Sequence, residues 1–302
     1  MVLLAAGRAV AQSGGGVVAG TTGELTAQTD GKLRVQVSTG YAQENFHWSI
    51  AGNSAGEDPN VYSELKWKNA GGFSGKVDLQ WEAWKRWRVF ASGSRTFTSS
   101  GTMTDTDYGL DNRNDVLYHQ QFAVTGGYSE GGSAGIGYCL FNGDRFRLTP
   151  FLGYGLSRQS FPITDPGGVY VQLNSSYTAK WFGPLVAVEA SWRLDKRWQV
   201  VAKGTYDQVV YRATADWNLI ENFSHPVSFR HHADGFGVEG QAGLDYVAGK
   251  HWTFVVRADY CHWETGAGVD LLYLASGGMQ LTQLNGVGRD GFGGRIGAAW
   301  QF

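Results

Sequence analysis

Lys76-Val77-Asp78-Leu79-Gln80-Trp81-Glu82-Ala83 sorts its side chains by parity: Lys, Asp, Gln and Glu at even positions, Val, Leu, Trp and Ala at odd ones. A helix would spread these two sets around its circumference. An extended strand puts each on its own face, one wet and one greasy. The pattern recurs along the chain. Trp198, Val200, Ala202 and Tyr206 oppose Gln199, Lys203, Thr205 and Asp207. Trp252, Phe254, Val256, Ala258 and Tyr260 oppose Thr253, Arg257 and Asp259, and Ile296, Ala298, Trp300 and Phe302 oppose Arg295 and Gln301.

Short polar turns punctuate these strands: Lys85-Arg86, Asn142-Gly143-Asp144, Asp195-Lys196-Arg197 and Gly249-Lys250-His251. Longer polar stretches lie between them: Ala51 to Asn60, Ser99 to Val116, Gln159 to Ser175, Ala215 to Val227 and Gly266 to Gly286. Short turns alternating with long loops predict an all-β fold, a closed antiparallel transmembrane β-barrel of about ten long strands, over residues 32–302. Short turns belong on the periplasmic side and long loops on the extracellular side of a bacterial outer membrane. Trp84, Trp87, Trp198 and Trp252 flank the short turns as a lower aromatic girdle would. Closure removes the edges that so many strands would otherwise expose.

Composition agrees. The chain carries 44 Gly, 12 Trp, 14 Tyr and 16 Phe, and only 17% of its residues are charged. It has no apolar run of about 18 or more residues, so membrane-spanning helices are excluded. A net charge of -2 gives no reason to expect a nucleic-acid partner. Cys139 and Cys261 match no metal spacing, and no metal or other cofactor is expected. At the N-terminus, Val2 to Ala6 and the Ala9-Val10-Ala11 sequence read as the remnant of a cleaved export signal over residues 1–11. The Gly- and Thr-rich stretch 12–31 reads as flexible. Terminal Phe302 on an alternating last strand resembles the signal by which the barrel assembly machinery takes up outer-membrane proteins.

Val61 to Trp84 runs for 24 residues with no turn signal except Gly71-Gly72. A tilted strand crosses lipid in about 9 to 11 residues. The upper half of the barrel is therefore expected to stand clear of the membrane as a funnel, where a site would sit.

In that upper region the sequence resembles the omptins, outer-membrane proteases with ten-stranded barrels. The resemblance runs from about Lys32 to Phe302. It is carried best by Ser63-Glu64-Leu65-Lys66-Trp67-Lys68 and Gly101-Thr102-Met103-Thr104-Asp105-Thr106-Asp107-Tyr108. Omptins have an Asp-x-Asp after a Gly-x-Met in this loop, facing an Asp-x-His dyad, with the attacking water between the pairs. The resemblance implies an aspartic-type endopeptidase in which Asp105 and Asp107 form the first pair and Asp216 the dyad Asp. An Asp-paired His can take a proton from water, and close carboxylates raise one another's pKa. Asn218 stands where the dyad His belongs, and Asn is no general base. His225, in the same loop as Asp216, is a candidate replacement, and His119 a candidate for a second omptin His. His231 and His232 also lie near loops. Glu44 shares inward parity with Arg34, Gln36 and Ser38, and resembles an omptin Glu that binds a basic substrate side chain.

Omptins also require lipopolysaccharide, which implies a lipid site at Tyr154, Arg158 and Lys180. Parity places all three on the outer wall, where cations gain from lipid phosphates, or simply snorkel. Three functions follow: an endopeptidase acting on peptides or proteins, a catalytically inactive surface barrel with an adhesive or structural role, and a small pore. Ten strands disfavour the pore, because small barrels fill their interiors with side chains.

Overall fold

A computed structural model describes residues 32–165 and 167–302. The expected export signal (1–11) and the stretch 12–31 lie outside the described residues. Every regular element among the described residues is a strand: β1 Lys32–Ile50, β2 Ser63–Trp84, β3 Trp87–Phe97, β4 Ser100–Leu110, β5 Asn114–Ala123, β6 Tyr128–Tyr138, β7 Phe141–Asn142, β8 Phe146–Thr164, β9 Asn174–Arg193, β10 Trp198–Asp216, β11 Phe229–Val247, β12 Trp252–Thr265, β13 Gly268–Tyr273 and β14 Met279–Gln301. Following the hydrogen bonds gives a closed antiparallel ring, β1-β2-β3-β6-β8-β9-β10-β11-β12-β14 and back to β1. That is the expected ten-stranded barrel.

Three further strands extend the upper wall. The lower half of β2 pairs with β3 from Ser74 down, and its upper half pairs with β4 from Ser63 to Gly71. Strand β4, the start of β5 and the short β13 thus occupy stretches that read as loops, Ser99 to Val116 and Gly266 to Gly286. Thr102-Met103-Thr104-Asp105-Thr106-Asp107 is rich in β-favouring Thr but polar on both faces. Above the membrane a strand need not show lipid an apolar face, so the polarity that suggests a loop is compatible with pairing.

Parity is as expected. Val77, Leu79, Trp81, Leu152, Leu156, Val186, Val188, Val200, Phe254, Val256 and Ile296 all point outward and are exposed in the isolated chain. Such a continuous apolar band is a poor match to water and a good one to lipid. Trp84, Trp87, Trp192, Trp198 and Trp252 rim its lower border. Inward residues at this level pair their charges: Arg257 with Asp245, Arg34 with Asp245, Arg88 with Glu82 and Glu189, and Arg295 with Asp259.

Above the charges the lumen is crossed by an aromatic layer. Phe46 and Trp67 meet at 5.5 Å between ring centroids, Trp67 and Phe161 at 5.0 Å, Trp181 and Tyr211 at 4.5 Å, and Trp181 and Trp263 at 5.6 Å. These rings come from β1, β2, β8, β9, β10 and β12, so opposite walls touch through them. Tyr177 and Trp48 complete the layer, each buried. Burial of such large rings and their edge and offset contacts tie the walls together and separate the mouth from the lower lumen.

Candidate functional site

Above the aromatic layer the barrel opens into a mouth cavity of about 860 Å³. Its floor and walls are largely apolar, including Trp48, Leu65, Met103 and Phe229, yet Asp105, Asp107 and Asp270 line it. Both acids of the Asp-x-Asp lie on β4, not in a loop, and their shared parity turns both inward. Residues two apart on a strand are about 7 Å apart at Cα and present their side chains to one face. The charges of this pair interact. Burial, and next the charge of Asp107, push the Asp105 carboxyl up to about 7. One Asp105 oxygen is buried without a hydrogen-bond partner. Burial also raises the Asp107 carboxyl, opposed by a hydrogen bond from Ser63. Tyr118 faces Asp107 across the β4–β5 ladder, and burial and these acidic charges raise its phenol.

Asp270, a further carboxylate of the mouth, is absent from the sequence reading. Asp270 sits on β13, within a stretch that read as loop, and accepts a 2.9 Å hydrogen bond from Thr282 Oγ1. His231 Nε2 lies 3.2 Å from its other oxygen, misaligned for a hydrogen bond. His231 Nδ1 contacts the Tyr177 hydroxyl at 2.8 Å, which in turn meets the Tyr211 hydroxyl at 2.5 Å. This His–Tyr–Tyr cluster is buried in the aromatic layer. The strand alternation around Gly268-Val269-Asp270-Leu271 was its only available signal.

The remaining sequence candidates sit elsewhere. His119 lies on the outer face of β5, exposed, with Nδ1 2.9 Å from Thr106 Oγ1. On β10 the inward residues are Tyr211, Ala213 and Ala215, and Asp216 falls on the opposite face, in register with Ser176 of β9. Asp216 and His225 do form a pair, at 2.6 Å between Oδ1 and Nδ1. Neither lines the mouth cavity. The counting that put Asp216 opposite the Asp pair was out of phase with the strand. Asn218 fastens the rim instead: its Oδ1 accepts from Asn174 N and Ser175 Oγ, and its Nδ2 donates to Gln172 O.

Glu44 points inward as parity required, but its carboxylate takes a 2.6 Å hydrogen bond from Arg289 Nε. It lines a separate cavity of about 210 Å³ below the aromatic layer. Neutralised there, it is not free to receive a substrate cation from the mouth. On the outer wall, Arg158 and Lys180 are cross-strand neighbours, and Tyr154 is exposed two same-face positions below Arg158, past Leu156.

The fold and belt define an outer-membrane β-barrel of the omptin architecture. The outer membrane protease OmpT of Escherichia coli superposes with a TM-score of 0.74 at 16% identity, over 90% of this chain and 97% of that one. The translocator domain of the autotransporter NalP from Neisseria meningitidis matches with a TM-score of 0.38 at 14% identity, over 89% of this chain and 88% of that one. OprG from Pseudomonas aeruginosa gives 0.39 at 13% identity, over 90% and 96%. At 16% identity the likeness to OmpT concerns fold alone. No curated protein matches the sequence. The family model described as Pom, Protochlamydia outer membrane protein, matches residues 36–291, and the chain belongs to this family.

Proposed function

We propose that this protein is a non-hydrolysing surface barrel whose mouth captures a ligand, the inactive omptin-fold alternative, rather than an endopeptidase. The observation that carries the reading is the composition of the mouth. Among the described residues no imidazole lines the cavity that Asp105 and Asp107 share. The inner face of β10, which an omptin dyad would need, carries Ala213 and Ala215. The paired Asp216 and His225 lie on the outer side. A general base must reach the water it deprotonates, directly or through one water. A largely apolar cavity with a few convergent polar groups is, by contrast, the ordinary form of a binding site.

The protease reading has a direct test. Refolded protein with added lipopolysaccharide is expected to cleave a fluorogenic dibasic peptide no faster than its Asp105→Ala variant. Turnover above that background, lost in the variant, would restore the endopeptidase.

The same proposal includes an anionic glycolipid on the outer wall, lipopolysaccharide being the outer-membrane lipid of that chemistry. Support comes from register: Arg158, Lys180, Arg212 and His232 lie directly opposite one another on β8, β9, β10 and β11. All lie on the outward face, with Arg158 over Tyr128 and Arg212 over Phe182. Glu130, opposite Arg158 at 3.9 Å, meets one end of this row, but Lys180 and Arg212 lie directly opposite as like charges, which destabilises a sheet unless an anion sits between them. Each cation near an anionic lipid surface contributes about 1 kcal/mol. The Lys180→Glu, Arg212→Glu double variant is expected to bind lipopolysaccharide at least about tenfold more weakly. Unchanged affinity in a lipopolysaccharide titration would remove the site.

A further inference from the structure

A closed barrel has no strand edges, and this one is closed only in its lower part. β8 pairs with β6 as far as Tyr128 opposite Ser160. Above that level, β8 continues through Phe161 to Thr164 and, among the described residues, is laddered to β9 alone. β5, which stands above β6, has β4 as its one ladder partner among the described residues. The upper wall therefore has a cleft between β5 and β8.

The hydrogen bonds tell which groups face it. Val124 N donates to Gly101 O, and Tyr108 N donates to Tyr62 O. In an antiparallel ladder hydrogen-bonded and non-bonded pairs alternate. The register of β4 with β5 then sends the backbone groups of Tyr118, Gln120 and Phe122 towards β4. Those of His119, Gln121 and Ala123 point into the cleft. From His119 to Ala123 no Pro or Lys blunts them, the usual protections of an exposed edge, and a bulge of β5 lies just before this run, at Leu117.

The cleft is continuous with the mouth. Leu117, Tyr118 and Phe122 of β5 and Ile163 of β8 line the mouth cavity. Val116 (57% exposed), Val169 (86%) and Val171 (74%) lie outside it on β5 and on the connection between β8 and β9. Donors and acceptors repeating every second residue, about 7 Å apart, match an extended polypeptide and not a sugar or a lipid. Strand addition sends alternate side chains to opposite faces, one set into the apolar mouth and the other outward.

We propose that the free edge of β5 at His119, Gln121 and Ala123 is a docking site for an extended polypeptide segment of another protein, which adds to the wall as an extra strand. The proposal rests on the reading of the mouth as a binding cavity.

The test uses the full chain folded in detergent micelles. The probe is a fluorescein-labelled peptide, Lys-Thr-Val-Thr-Val-Thr-Lys, and fluorescence anisotropy reports binding. Its twin is N-methylated at two adjacent central residues, which blocks both of its edges. The plain peptide is expected to saturate the protein. The twin, and the Gln121→Pro variant that removes one cleft-facing N–H, are expected to bind at least about tenfold more weakly. Gln121→Ala should bind as the parent does. Should Gln121→Pro not fold, the twin decides alone. Equal binding of both peptides, lost in Ser63→Trp with its filled mouth, overturns the edge and leaves the mouth reading standing. No saturation by either peptide at millimolar concentration overturns both. A dimer of the parent that Gln121→Pro dissolves assigns the edge to a second copy of this chain and overturns a foreign partner.

Discussion

Asp105→Asn is expected to flatten the pH dependence of unfolding and to stabilise the barrel above neutral pH. The carboxyl ionises at about 7 in the folded protein. In an unfolded chain it ionises near 3.9. Between those values the folded state holds a proton that the unfolded state has released, so stability falls as pH rises. The stabilisation is fully present below about pH 4 and lost by about pH 7. A difference of roughly three units at about 1.4 kcal/mol each sets an upper limit near 4 kcal/mol, less whatever solvent at the mouth screens. Asn keeps the shape and discards the charge. Urea unfolding in lipid vesicles, followed by tryptophan fluorescence at several pH values, reads the difference. The parent curve should descend across this window while that of the variant stays closer to level. Parallel curves for Asp105→Asn and the parent would mean that water reaches the orphaned oxygen and that the mouth does not desolvate its acids.

The barrel was legible because lipid enforces one rule on every strand that crosses it. Lys76 to Ala83 alternates because one side chain meets hydrocarbon and the next the lumen, and the same contrast gave the outward face of Tyr154, Arg158 and Lys180. The rule lapses above the membrane, where both faces of a strand meet polar surroundings. There β4, the start of β5 and β13 read as loops, and Asp270 was hidden among them. Parity was still usable where a strand could be followed upward without interruption. Counting in steps of two from Val201 and Asp207 reaches Ala213 and Ala215, both buried, and so turns Asp216 outward. The resemblance placed Asp216 by its neighbours in sequence, and a shift of one residue moves a side chain through the wall. Pairing is a different kind of information. That Glu44 faces the lumen follows from its own strand. That its partner is Arg289, 245 positions away, follows only from the closure that sets β1 against β14.

Arg289→Met is therefore expected to be among the most destabilising single changes in the lumen below the aromatic layer. The guanidinium holds Glu44 through Nε at 2.6 Å, Ser157 through Nη1 at 2.9 Å and Ser129 through Nη2 at 3.2 Å. It thereby joins β14 to β1, β8 and β6 across the barrel. Glu44 is 7% exposed. Removing the cation leaves that carboxylate in place with a weak 3.4 Å contact from Ser129 Oγ as its other hydrogen bond. Breaking a buried pair from one side costs about 3–5 kcal/mol, because the charge left behind is neither hydrated nor matched. Replacing both partners removes the charge as well, so Glu44→Gln in the Arg289→Met background is expected to recover much of the loss. Urea titrations of the parent, the two single variants and the double variant at one pH give the coupling energy. A loss below about 1 kcal/mol in Arg289→Met is the signature of a solvated pair. Water would then reach Glu44 beneath the aromatic layer, and the carboxylate would return to the groups open to a cationic ligand entering from the mouth.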